Sequence, residues 1–179
     1  DVRGWSMTPD GLRVIRHPWA RLFATMCLNR RVASFNLVDY YCAMTGSLAD
    51  TRRLQYTVAP EAEARAAALL AETGIGGGER VVAMQVGASR AIRQWPEASF
   101  VGLGRALAAA GFRIVVVGGG GDRPLGDSVA AEIGAAAVNT CGRTGVGELG
   151  AVLAHADVLV TGDTGPMHMA VAVGTPVVG

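Results

Sequence analysis

Residues 158–176 read VLVTGDTGPMHMAVAVGTP, and this stretch decides the fold. The apolar start predicts a β-strand, the next four residues predict a tight turn, and the small residues after Pro166 predict a helix. A helix N-terminus presents free N–H groups and a positive dipole end, both of which suit a phosphate. Because Asp163, Thr164 and His168 lie around that turn, the stretch is typical of the floor of a nucleotide site.

Composition narrows the class of protein. Half of the 179 residues are hydrophobic, 17% are charged and the formal net charge is +1, which predicts a packed globular protein and gives no reason to expect a nucleic-acid partner. All 16 basic residues are arginines. The absence of lysine excludes a Walker phosphate loop and a Schiff-base mechanism, since both need a lysine amine.

The cysteines and the apolar runs predict a cytoplasmic location. Cys27, Cys42 and Cys141 lie far apart and form no CxxC pair, so neither a disulfide framework nor a metal site is expected. The sequence also lacks an apolar run of about 18 residues that would span a bilayer. The chain starts without Met and ends as another strand begins, so we expect a fragment of a longer protein.

The chain changes in composition near residue 58. Before that point, residues 17–29 and 36–45 have apolar side chains at helical spacing. After it, short apolar strands alternate with helices, which predicts an α/β fold with a parallel sheet covered by helices on both faces. The strands are expected near residues 81–86, 113–117, 136–139 and 157–161, and the helices near 61–72, 96–110, 125–133 and 146–154.

Ligands of parallel sheets bind beyond the carboxyl ends of the strands, where this sequence has polar or glycine-rich turns. These turns cover residues 87–93, 118–122 and 162–168. The glycines at 118–121 form either a simple tight turn or part of a ligand site. A dinucleotide G-x-G-x-x-G pattern fails there, because Arg123 and Pro124 stand where the last glycine is required. NAD is therefore not expected as a cofactor.

Three side chains in these turns are candidate ligand contacts, and each has a structural alternative. Asp122 either accepts hydrogen bonds from ribose hydroxyls or caps the helix that follows it. The Arg93 guanidinium offers a rigid fork of donors to phosphate oxygens, although most surface arginines are only solvated. His168, early in its helix, either donates to a phosphate or is a buried histidine with its hydrogen bonds satisfied.

Five motifs together resemble glycosyltransferase family 9, the lipopolysaccharide heptosyltransferases. They follow the family's order and spacing at residues 87–89, 93–96, 118–122, 142–144 and 163–170. The resemblance implies a GT-B architecture of two Rossmann-like domains. Residues 1–58 would be the end of the acceptor-side N-terminal domain plus a linker, and residues 59–179 a donor-binding domain that is truncated at its C-terminal end.

The resemblance also implies an activity. Family members transfer a heptose from ADP-heptose to the lipopolysaccharide inner core, with inversion and without a metal, on a lipid-linked acceptor at the inner face of the inner membrane. The family's general base belongs to the missing N-terminal part, so no catalytic residue is assigned and this chain alone is expected to be inactive. Two alternatives stay open: another GT-B nucleotide-sugar enzyme such as an epimerase, and a non-catalytic nucleotide-binding paralogue.

Donor contacts are implied by position in the same family. Arg93 stands where the family usually has a lysine at the diphosphate, and Asp122 stands where it usually has a glutamate that binds the ribose. Arg143 and Thr144 would lie beside the base of the nucleotide. The other expected donor-binding residues are Ser89 and, at the diphosphate–sugar end, Asp163, Thr164, Gly165 and His168.

Overall fold

The computed structural model describes residues 5–10, 13–15, 18, 21–22, 25, 37–48, 51, 53–88 and 91–179. Its contacts divide the chain into two units, Asp1–Arg53 and Leu54–Gly179. In the first unit, β1 (Trp5–Met7) pairs antiparallel with β2 (Arg13–Ile15), a hairpin that the sequence pattern does not predict. The helix α1 (Leu37–Thr45) matches the pattern at residues 36–45. The other helical prediction, residues 17–29, lies mostly outside the described residues.

Helices and strands alternate through the second unit, as the sequence predicts. In chain order they are α2 (Pro60–Glu72), β3 (Arg80–Gln85), α3 (Glu97–Ala109), β4 (Phe112–Val117), α4 (Arg123–Ile133), β5 (Ala137–Asn139), α5 (Val146–Ala154), β6 (Val158–Val160), α6 (Gly165–Val173) and β7 (Val177–Val178). Short 3-10 turns at Ala91–Arg93 and Gly120–Asp122 come after β3 and β4.

The five strands of this unit form one parallel sheet in the order β5-β4-β3-β6-β7. The central strand is β3, in which Val82 pairs with Ile114 of β4 on one side and with Val158 of β6 on the other. Counted from β3 as strand 1, the order is 3-2-1-4-5, which matches the first five strands of the Rossmann order 3-2-1-4-5-6. From β3 the chain adds β4 and β5 on one side, and it then crosses to the other side of β3 to add β6 and β7. A crevice therefore opens where β3 and β6 end.

Helices cover both faces of the sheet, because successive side chains of a strand point to opposite sides. On one face, Val82 packs in a buried cluster with Phe100 of α3 and Val129 of α4. The opposite face packs against α2, α5 and α6 through a second cluster that includes Val81, Ala83, Ala66, Leu70, Ala151 and Ala170. These two apolar cores confirm the predicted α/β sheet and fix the positions of the strand ends.

The helix α6 begins and ends where residues 158–176 predict. Thr164 precedes it in an extended conformation, and Pro166 lies in its first turn. Gly174 ends it with a φ of 92°, a left-handed conformation that favours glycine. The N-terminus of α6 therefore follows β6 after a four-residue turn and lies with its free N–H groups at the crevice edge of the sheet.

Candidate functional site

Asp122 is held beside the end of β3. Its Oδ2 accepts a hydrogen bond from the Gly119 N–H at 2.8 Å. A Cβ at residue 87 would lie 2.2 Å from the carboxylate atoms of Asp122, so the carboxylate fills the space that Gly87 leaves free. Asp122 comes directly before α4, but its side chain makes no cap hydrogen bond to that helix. Of the two interpretations from the sequence, helix capping by this side chain is therefore not realised.

A cavity of about 330 Å³ opens between the ends of β3 and β6. Three of the predicted donor-binding residues line it, namely Asp122, Thr164 and Gly165. The rest of its lining comes from the end of β3 and the turn after it: Gln85, Gly87 and Ala88. The topology thus brings together residues that lie up to 80 positions apart, from Gln85 to Gly165.

Gln85 is a site residue that the sequence analysis missed. Its side chain is only 6% exposed, and its Nε2 donates to the Gly87 carbonyl oxygen at 3.2 Å. Its Oε1 is buried without a hydrogen-bond partner among the described residues. An unpaired buried acceptor costs about 1–3 kcal/mol. The available signal was its position as a polar residue at the carboxyl end of a buried parallel strand, where ligand contacts concentrate.

Arg93 and Asp163 form an ion pair near the same crevice. The Arg93 Nη1 lies 3.4 Å from the Asp163 Oδ2, with side chains 42% and 68% exposed. The two loops approach closely at Gly162, where a Cβ would lie 2.9 Å from the Arg93 carbonyl oxygen. Exposed pairs of this kind contribute about 0–1 kcal/mol. A phosphate can therefore compete with Asp163 for the guanidinium.

The first turn of α6 carries a hydroxyl, free N–H groups and an imidazole. Thr164 Oγ1 lies 2.9 Å from the Oγ1 of Thr161, a buried residue at the end of β6. The Gly165 N–H has no partner within its own helix, because it precedes the first intrahelical hydrogen bond. His168 is exposed, so the alternative of a buried histidine is not realised.

Arg143 and Thr144 follow a turn that packs on the glycine run after β4. Gly142 has a φ of 71°, and a Cβ there would lie 2.8 Å from the Gly120 Cα. The backbone of the turn thus lies beside the glycine run, and Thr144 is half-buried. The Arg143 side chain, however, forms an ion pair with Glu72 at the end of α2. Ser89 lies outside the described residues.

Cys141 lies against the start of the glycine run. A Cβ at Gly118 would lie 2.9 Å from the Cys141 Sγ. Burial, and after it the nearby carboxylates of Asp122 and Asp127, together raise the pKa of the Cys141 thiol to about 12. The thiol is therefore protonated at neutral pH and packs as a small apolar group.

A second cavity, of about 430 Å³, adjoins Arg93 and Gly162. Its walls are mostly apolar and include Trp95, Phe100 and Val160. The Trp95 and Phe100 rings meet edge to face, with centroids 5.0 Å apart and planes at 80°. No ligand role for these side chains is expected from the sequence, because an apolar lining has no motif of its own.

Within the ranges that the structure describes, no group of three or more His, Cys, Asp or Glu side chains is arranged to hold a metal ion. Over those same ranges, no helix combines the length and the hydropathy of a membrane span.

Sequence comparisons place the chain among glycosyltransferases. The family model of Glycosyltransferase family 9 (heptosyltransferase) matches residues 16–179. Lipooligosaccharide heptosyltransferase 2 of Haemophilus influenzae is 29% identical over 90 residues, which make up 48% of this chain and 26% of that protein.

Solved structures share the fold at low sequence identity. A glycosyl transferase family 9 protein from Veillonella parvula has a TM-score of 0.73 at 21% identity, over 82% of this chain and 43% of that one. The E. coli ADP-heptose lps heptosyltransferase II has a TM-score of 0.61 at 23% identity, over 69% of this chain and 38% of that one. The chain thus spans less than half the length of these relatives. Its parallel α/β sheet is that of the GT-B heptosyltransferases, and the chain belongs to glycosyltransferase family 9 (heptosyltransferase).

Proposed function

We propose that the cavity between β3 and β6 binds the nucleoside diphosphate of ADP-heptose, and that the protein transfers the heptose to the inner core of lipopolysaccharide. Family membership supports glycosyl transfer, and the name of the E. coli relative specifies an ADP-heptose donor and lipopolysaccharide. The observation that carries the proposal is the convergence of Asp122, Thr164 and Gly165 on one cavity.

The polar groups around the cavity suit the two ends of ADP. A carboxylate accepts hydrogen bonds from hydroxyls, so Asp122 is assigned to the ribose. Phosphate oxygens accept hydrogen bonds, so the Thr164 hydroxyl and the free N–H groups at the start of α6 are assigned to the diphosphate. Arg93 adds a positive charge when it turns away from Asp163. An acceptor on one side and donors on the other would orient the nucleotide in the cleft.

The proposed chemistry is a single displacement at the anomeric carbon. The acceptor hydroxyl forms the new bond and loses its proton, while the bond from the anomeric carbon to the phosphate oxygen breaks and its electron pair stays on ADP. Attack from the face opposite the leaving group inverts the anomeric centre. Thr164, His168, Arg93 and the α6 N–H groups would stabilise the charge on the leaving diphosphate without a metal. One fixed donor in an oxyanion-type site contributes about 2.7–4 kcal/mol to lowering the barrier.

Asp163 needs a separate assignment, because a carboxylate beside a diphosphate is repulsive. In the structure its carboxylate is paired with the exposed Arg93 guanidinium. When Arg93 turns to the diphosphate, Asp163 becomes available to hydroxyls of the sugar. The general base that takes the acceptor's proton is not assigned to any residue of this chain, and we expect it in another part of the longer protein.

The proposal includes the cellular setting of the reaction. We place the protein in the cytoplasm, at the inner face of the inner membrane, with a lipid-linked oligosaccharide as acceptor. This setting is supported by family membership and by the lipooligosaccharide and lipopolysaccharide named for its relatives.

Calorimetric titration with ADP-heptose, ADP, a UDP-sugar and NAD tests the donor assignment. We expect binding of ADP-heptose and ADP in preference to the other two. Asp122→Asn should weaken ADP and adenosine binding alike, by roughly tenfold, because it removes a charged acceptor from the ribose. Asp127→Asn is the matched control, since the Asp127 carboxylate accepts a hydrogen bond from Asn139 Nδ2 and does not line the cavity. A preference for the UDP-sugar or NAD would contradict the proposal.

A further inference from the structure

Thr161 is a buried polar residue to which the proposed function gives no role. Its side chain is only 4% exposed, and it comes directly after β6. Its Oγ1 lies 3.0 Å from the Gly162 carbonyl oxygen and 2.9 Å from the Oγ1 of Thr164. A hydroxyl carries one proton, so Thr161 donates to only one of these two acceptors at a time.

The acceptor to which the Thr161 hydroxyl donates determines whether the Thr164 hydroxyl can donate a hydrogen bond to a ligand. When Thr161 donates to the Gly162 carbonyl, the short contact between the two hydroxyls requires Thr164 to donate to Thr161. Thr164 then presents only lone pairs to the cavity. When Thr161 instead donates to Thr164, the Thr164 proton is free to point into the cavity. An ionised phosphate oxygen only accepts hydrogen bonds, so it is matched by the second arrangement alone.

We propose that Thr161 is a positioning residue that makes the Thr164 hydroxyl a donor to a diphosphate. This inference rests on the proposed function, in which Thr164 contacts a phosphate. As the phosphate enters, the Thr161 hydroxyl rotates from the Gly162 carbonyl to Thr164. The hydrogen bonds then run in one direction, from Thr161 to Thr164 to the phosphate oxygen.

Two properties of the pair favour this arrangement. Hydrogen bonds that run in one direction polarise one another, so Thr164 becomes a stronger donor than an isolated hydroxyl. The burial of Thr161 keeps water from taking its place as a partner of Thr164. Thr161 lies behind Thr164 as seen from the cavity between β3 and β6, whose lining includes Thr164 but not Thr161; the small exposed part of Thr161 borders the second cavity, beside Gly162.

A double-mutant cycle tests the inference, with the dissociation constants of ADP and adenosine as readouts. Thr164→Val should weaken ADP binding roughly tenfold or more and leave adenosine binding unchanged, because it removes a charge-assisted hydrogen bond. Thr161→Val should weaken ADP binding by roughly fivefold, and by no further amount when Thr164 is already Val. Thr161→Ser keeps the hydroxyl and should stay within about twofold of the unsubstituted protein.

The inference would be overturned if Thr161→Val weakened ADP binding equally whether residue 164 is Thr or Val. It would also be overturned if Thr161→Val weakened ADP and adenosine binding equally, or left ADP binding unchanged. Each of these results would leave Thr161 with a packing role only. If Thr161→Val does not fold, Thr161→Ala removes the same hydroxyl and carries the same test. Failure of the proposed function would look different, because Thr164→Val alone would then leave the preference for ADP over adenosine unchanged.

Discussion

Replacement of Gly87 by alanine tests whether the bare backbone at this position holds Asp122 in place. A Cβ there would lie 2.2 Å from the carboxylate, whereas real Cβ contacts are essentially never shorter than 3.0 Å. The Asp122 carboxylate must therefore move away by the difference between these two distances, about 0.8 Å or more. This movement disrupts its 2.8 Å hydrogen bond with the Gly119 N–H.

The expected magnitude follows from that lost contact. A hydrogen bond to a charged group contributes about 1.5–3 kcal/mol, and the lower flexibility of alanine in the unfolded chain offsets about 0.4–1 kcal/mol. We expect the free energy of unfolding, measured by urea denaturation, to fall by roughly 1–2 kcal/mol. ADP binding should weaken roughly tenfold or more, because a displacement of about 1 Å in a positioned group is costly.

Gly102→Ala is the matched control for this substitution. Gly102 is exposed within α3, and a Cβ there would meet nothing within 4 Å. It should raise helix stability by up to about 1 kcal/mol and leave ADP affinity unchanged. In the background of Asp122→Ala the clash is gone, so Gly87→Ala should no longer destabilise the protein. Unchanged unfolding and unchanged ADP binding in Gly87→Ala alone would refute the reasoning.

Three other substitutions probe separate contacts. Arg93→Ala should weaken the binding of ADP but not of adenosine, most strongly at low salt, because the exposed guanidinium is screened by ions. Gly104→Ala should lower the free energy of unfolding by about 1–3 kcal/mol without changing ADP affinity, since its Cβ would lie 2.2 Å from Ile133 Cδ1. Glu148→Gln should remove an acid-sensitive contribution to stability. The hydrogen bond from Arg65 holds the pKa of Glu148 below its usual range, so this stabilisation is present above the ordinary glutamate pKa and is lost as the pH falls through the lowered folded-state pKa.

Calorimetry at two salt concentrations checks the expectation for Arg93→Ala, and urea denaturation checks the one for Gly104→Ala. Thermal unfolding from about pH 3 to 7 checks the one for Glu148→Gln. Equal losses of ADP and adenosine affinity would place the Arg93 guanidinium away from the phosphates. An unchanged urea midpoint for Gly104→Ala would mean that Ile133 moves aside at no cost. For Glu148→Gln, the difference in Tm from the unsubstituted protein should shrink as the pH falls. A difference that is constant over the whole pH range would contradict a role for the carboxylate.

The sheet was predictable from the sequence because a parallel sheet buried on both faces needs continuous apolar strands. The pattern at residues 81–86 corresponds to β3 (Arg80–Gln85), and the turn from β6 to α6 was readable from Pro166 and the small residues after it. The convergence of Asp122 and Thr164 also followed from topology, since parallel strands end at a common edge.

Contacts between side chains that are distant in sequence were not predictable in the same way. Arg143 pairs with Glu72, which lies 71 positions earlier, and no local pattern links the two. Gln85 and Thr161 are important because of their burial and their neighbours in the folded protein, and neither belongs to a sequence motif. The β1–β2 hairpin is built from three-residue strands, which are too short to show a hydrophobic period.

A crystal structure of the protein with ADP tests the central claim most directly, namely that the cavity between β3 and β6 holds the nucleoside diphosphate. We predict a ribose hydroxyl within hydrogen-bond distance of Asp122, and phosphate oxygens within hydrogen-bond distance of the Thr164 hydroxyl and the N–H groups that begin α6. ADP bound instead in the apolar cavity beside Trp95, with no contact to Asp122 or Thr164, would contradict the claim.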